Sequence, residues 1–146
     1  MLKREKRLQP INELAGRSER SHATRLVEVE RRLAEAQRRH EELLRYRSEY
    51  ERTFHTRASA GAPMRGLREQ QAFIARLTEA LRVQQSTIEQ LRADCNAARQ
   101  HWRTAATRKQ VVGKVVERAR AETRSSEERR AQGESDERAQ RARGRS

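Results

Sequence analysis

From Leu67 onward the apolar residues return at alternating steps of three and four. One set of positions, a, holds Leu67, Ile74, Leu81, Ile88, Cys95, Trp102, Lys109 and Val116; the other, d, holds Gln70, Leu77, Gln84, Leu91, Ala98, Ala105, Val112 and Ala119. Thirteen of these sixteen are apolar in a chain that is 34% hydrophobic, which would put about five there by chance. Heptads this long and regular predict a coiled-coil helix. The first half keeps the period less cleanly. Its a positions are Leu26, Leu33, His40, Arg47 and Phe54, and its d positions are Val29, Ala36, Leu43 and Tyr50. Upstream the frame runs through His22, Glu19, Ala15, Asn12 and Leu8. Pro10 fits only a first helical turn, so helix one is predicted from about Leu8 to Phe54.

The segment "HTRASAGAPMRG", residues 55–66, carries Gly61, Pro63 and Gly66 and breaks the pattern. Helix two is predicted over about 67–123. The polar tail, 124–146, is interrupted by Gly133 and is expected to be a frayed extension of helix two or disordered. The fold expected is all-α: one coiled-coil domain over 1–146, a long two-helix antiparallel hairpin with a polar C-terminal tail. At 1.5 Å per residue its helices are about 70 and 85 Å long, giving a rod with both termini at its open end. In an antiparallel coiled coil a faces d, and the two frames allow pairs whose numbers sum to 124, centring the turn in the Gly/Pro segment. That register sets Ala36 opposite Ile88, Tyr50 opposite Ile74 and His22 opposite Trp102. It brings Glu19 beside Lys109, so two charges misplaced in a seam neutralise each other.

Composition agrees with narrow stripes rather than a thick core. Charged residues make up 38% and aromatics 3%, with a mean hydropathy of −1.18. The formal net charge of +13 points to an acidic partner. The Arg-rich faces are read either as solvated coiled-coil surface, with i,i+4 pairs such as Glu28–Arg32 and Glu35–Arg39, or as a patch for that partner. No stacking aromatics or recognition motif accompany them, so no specific nucleic acid is expected. Cys95 is the single cysteine, which excludes an intramolecular disulfide and suggests a reducing compartment. The basic N-terminus has no apolar run behind it, and no stretch approaches a transmembrane segment.

The sequence carries no recognisable catalytic motif. "VVGKVV" has Gly113 and Lys114, but Arg108 stands where a phosphate-binding loop needs its first glycine, and Val115 replaces Ser/Thr. His22 and His40 share a helix face about 27 Å apart, so the histidines read as seam or surface residues. No cofactor, metal or enzymatic activity is expected. Phe73, a rare aromatic, lies just before an a position. With Leu77, Ala80 and Gln84 it forms one stripe at spacing i, i+4, i+7, i+11. It either shields the hairpin seam or anchors a partner, as exposed aromatics do at interface hot spots.

"RYRSEY" before the loop, Gly61 within it, "QAFIARL", Gln84–Gln85 and Trp102 together resemble the FliJ family of the bacterial flagellar export apparatus. The opening "LQPINELA" matches that family's usual start. Asp136, Glu137, Ala139 and Arg141 are similar to its C-terminal signature. The resemblance covers nearly the whole chain. It implies a non-enzymatic antiparallel coiled coil, similar to the central stalk of rotary ATPases. The termini end would insert in the hexameric ring of the export ATPase FliI, and the early part of helix two would contact the cytoplasmic domain of the export gate protein FlhA. Export chaperones are further implied partners, and the cytoplasmic face of the inner membrane at the flagellar base is the implied location. The gate patch maps onto Phe73, Leu77, Ala80 and Gln84. At the termini end, Arg17, Arg20, Arg118 and Arg120 are the candidate ring contacts. The equivalent stalk of a virulence-type secretion system and a basic coiled-coil scaffold are the alternative functions.

Overall fold

The structure, a computed structural model, describes residues 4–145. Helix α1 spans Arg4–Ser59 and helix α2 spans Met64–Gly144; no strand occurs among the described residues. The two helices pack against each other as an all-α hairpin. The chain divides into two compact units. One, the loop-side unit, is Thr24–Gln100; the other, the terminal unit, combines Met1–Ala23 with His101–Ser146.

The hairpin turn is compact because its backbone groups are nearly all used. Gly61 takes φ 78°, the left-handed conformation a side chain disfavours. Its N–H donates to the Ala58 carbonyl at 3.2 Å, and the Ala62 N–H donates to the Arg57 carbonyl at 3.0 Å. This pair of bonds is the Schellman closure of a helix C-terminus, which satisfies carbonyls that the helix leaves open. Pro63 then caps α2, its carbonyl accepting from the Leu67 N–H at 3.3 Å. Proline suits this place, having no N–H to satisfy. The break expected over 55–66 therefore narrows to residues 60–63.

In the loop-side unit the core is Val29, Ala36, Leu77, Leu81, Ile88, Cys95 and Ala98. Every one is a predicted a or d residue. Half-buried Leu26, Leu33, Leu43, Tyr50, Phe54, Leu67, Ile74 and Leu91 complete the seam. The cross-helix contacts straddle the predicted register. Gln84 Nε2 donates to the Ala36 carbonyl at 3.1 Å, Arg47 Nη1 to Thr78 Oγ1 at 3.4 Å, and the Tyr50 and Phe73 rings lie 4.7 Å apart.

In the terminal unit the buried apolar residues are Ala15, Ala105, Val116 and Ala119, with Gly16 also buried. Small side chains on both helices make this seam thin. Polar contacts add to this thin seam. Glu19 and Lys109 do meet, at 3.8 Å. Arg120 Nε donates to Glu5 Oε1 at 3.1 Å, and Arg4 reaches Glu122 at 3.4 Å.

The two outer helix boundaries also differ from the pattern. Helix α1 begins at Arg4, so Pro10 lies inside it rather than in its first turn. A proline there forfeits one backbone bond, at a cost of about 3 kcal/mol or more. The Glu5 and Arg4 contacts to α2 and the half-buried Leu8 partly offset that cost. At the other end α2 continues to Gly144. Its Arg, Glu, Gln and Ala content favours helix, and Gln132 donates to Asp136 one turn on at 3.2 Å. Beyond Ser125 every described residue of α2 is exposed. Ser146, the last residue of the expected tail, lies outside the described residues.

Candidate partner-binding faces

On the loop-side unit the four residues of the Phe73 stripe have unequal surroundings. Phe73 is half-buried. Its ring lies 4.7 Å from Tyr50 and meets Tyr46 edge-on at 6.2 Å, with the Arg76 guanidinium 5.6 Å from its centroid. The arrangement combines aromatic packing with a cation over the ring face. Leu77 is only 7% exposed and belongs to the seam. Ala80 is exposed, and Gln84 is half-buried with its amide nitrogen bonded to the Ala36 carbonyl. A shallow groove lined by Arg39, Glu42, Leu43, Tyr46 and Gln84 adjoins this stripe.

Tyr46 is the residue that reading helix two alone misses. It is an exposed large aromatic on α1, yet it joins the Phe73 cluster. The signal is present in the heptads. Tyr46 and Phe73 each precede an a position, and in an antiparallel pair those two flanks lie on the same side of the seam.

On the terminal unit the four arginines also divide. Arg17 pairs with Glu13 one turn back at 3.8 Å. Arg120 is engaged across the helix pair by Glu5. Arg118 is exposed and forms no ion pair among the described residues. Arg20 is exposed. Among these charges stand Ile11, Leu14 and Val111, all exposed large apolar residues. The heptad reading passes over them because they fall outside a and d.

Gly113 and Lys114 do not form a nucleotide-binding loop. They lie mid-helix in α2, so their backbone N–H groups serve the helix and cannot cradle a phosphate. Among the described residues no three His, Cys, Asp or Glu side chains gather as metal ligands. Burial pushes the Cys95 thiol up from its ordinary value, Glu30 and Asp94 acting in the same direction and Arg99 against them. That is the environment of an inert core cysteine. Among the described residues no helix is long and apolar enough to cross a membrane.

Neither a curated protein nor a solved structure matches the chain. The model of one protein family, described as Flagellar FliJ protein, matches it over residues 4–146. With a match of that extent, and with two packed helices in the frame its heptads predict, the chain belongs to the FliJ family.

Proposed function

We propose that this flagellar export component is a non-enzymatic stalk that couples the FliI ATPase ring to the FlhA export gate in type III export. The terminal unit engages the ring, and the Phe73 face engages the cytoplasmic domain of the gate. Export chaperones are additional partners. These contacts hold the protein at the cytoplasmic face of the inner membrane at the flagellar base. The family match supports the export context. The observation that carries the ring assignment is the exposure of Ile11, Leu14 and Val111 on the unit that also bears Arg17, Arg20, Arg118 and Arg120. Apolar anchors among cations suit a partner surface that is partly apolar and partly acidic.

The test is stimulation of the purified export ATPase. Arg118→Glu and Leu14→Glu, each on an exposed side chain, are expected to lower stimulation severalfold while leaving helicity unchanged. Phe73→Ala is expected to leave stimulation intact and to weaken binding to the gate domain. Full stimulation by both terminal-unit variants would remove the ring assignment, and a chain that neither binds nor stimulates the ATPase would be a scaffold.

A further inference from the structure

The heptad reading leaves all four histidines as plain seam or surface residues, and the fold changes this for two of them. His22 on α1 and His101 on α2, distant in sequence, are adjacent in the terminal unit. Their ring centroids are 5.8 Å apart and their planes differ by 25°. His22 is half-buried and His101 is exposed, so the pair is within reach of solutes. Neither the stalk role nor the gate face uses them.

We propose that His22 and His101 form a two-histidine chelate for a first-row divalent transition cation, clamping α1 to α2 within the terminal unit. The chemistry of the donors selects the ion. Neutral imidazole is a good ligand for Zn²⁺, Ni²⁺ and Cu²⁺ and a poor one for Mg²⁺ or Ca²⁺. A metal–nitrogen bond of about 2.0–2.1 Å places the centroids of two imidazoles sharing one ion roughly 5 to 6 Å apart. The observed centroid separation falls in that range, and binding requires the stacked rings to turn so that an in-plane nitrogen of each faces the ion. Water fills the remaining coordination positions.

The neighbouring carboxylate is committed elsewhere. Glu19, one turn before His22, accepts from the Trp102 indole on one oxygen and faces Lys109 with the other. It therefore holds the Trp102 and Lys109 side of the seam and leaves the ion to the two imidazoles. A protein of net charge +13 repels cations at long range, which also favours ligands that bind through nitrogen lone pairs over purely electrostatic sites. A cation bound in this way stabilises the folded unit by mass action, because its two ligands are separated by most of the chain when unfolded.

The experiment uses the untagged, metal-free full chain, titrated with Zn²⁺ alone and with Ni²⁺ alone by calorimetry, with melting followed in parallel. Binding of one ion per chain is expected, with a melting temperature raised by several degrees. His22→Gln and His101→Gln should each weaken binding tenfold or more and abolish the melting shift; His40→Gln should change neither. His101 is exposed, so its replacement keeps the test valid even where His22→Gln disturbs the seam. Absence of stoichiometric binding overturns the proposal, as does binding that survives His101→Gln. The ATPase and gate assignments do not depend on the outcome.

Discussion

The indole Nε1 of Trp102 donates to Oε1 of Glu19 at 3.0 Å, joining the single tryptophan of α2 to the one acidic residue that the heptad frame places in the middle of the α1 seam. Lys109 stands 3.8 Å from the other oxygen of the same carboxylate, whose side chain is only 18% exposed. One residue thus accepts a hydrogen bond from one side chain of the opposite helix and forms an ion pair with another.

Replacing Glu19 by Ala leaves the indole N–H and the ammonium without this acceptor. An unsatisfied group of this kind costs about 1–3 kcal/mol, and the lower end applies where water can reach. Glu19→Ala is expected to lower the melting temperature by roughly 2–4 °C. Glu19→Gln, which keeps an oxygen for Trp102, should recover more than half of that loss. Equal melting of the two variants would mean that the bond to Trp102 contributes nothing.

Phe73 stands outside the a and d positions, and the pattern alone predicts that truncating it costs little. Its packing against Tyr50 and Tyr46 changes that expectation. Aromatic pairing adds about 0.5–1.5 kcal/mol beyond the area buried, so Phe73→Ala should measurably destabilise the loop-side unit. A hot spot would also lose about 2 kcal/mol or more of binding, close to thirtyfold in affinity for the gate domain. Melting and gate affinity must be measured on the same variant. Lower melting with unchanged affinity would leave Phe73 as part of an internal aromatic cluster only.

The two glycines at 61 and 133 should respond in opposite directions to alanine. Gly61 holds a positive φ, and Gly61→Ala should destabilise the hairpin by about 1–2 kcal/mol. Gly133 lies inside α2 with open space where a Cβ would sit. Gly133→Ala should raise helicity, favouring helix there by about 0.8–1.0 kcal/mol. Circular dichroism against temperature reads both.

Cys95 is 3% exposed, and burial raises its thiol above the ordinary value. At a given pH less thiolate is present than in a free cysteine. Aromatic disulfide reagents should therefore react slowly with the native chain near neutral pH and rapidly after unfolding. Fast native labelling would show that the seam around Cys95 opens readily.

The seam was legible in the sequence because burial in a coiled coil is periodic: among the described residues every buried apolar one lies in the predicted frame. What the period does not encode is where a helix stops. Residues 55–59 and 64–66 join the helices although the Gly/Pro signal excluded them, since only Gly61 and Pro63 are needed for the reversal. The exposed tail beyond Ser125 stays helical on local propensity, which a search for apolar stripes does not register. Cross-helix neighbours on the flanks follow from the register but leave no apolar period. His101 precedes Trp102 by one residue, and Tyr46 precedes Arg47, so neither stands at an a or d position.

The alanine-rich seam of the terminal unit has a thermodynamic consequence for whatever grips it. Ala15, Ala105 and Ala119 bury one methyl group each, worth only about 0.8 kcal/mol apiece on the scale of a buried CH₂. Cohesion there is shallow, and backbone amides in such a region breathe through small openings well below global unfolding. A partner that closes around these helices suppresses that breathing. Its binding carries an entropic penalty, offset by the apolar area buried, and so shows a negative heat-capacity change with a favourable enthalpy. Partner and seam then share the work of ordering, and amide protection in the terminal unit becomes a direct gauge of engagement.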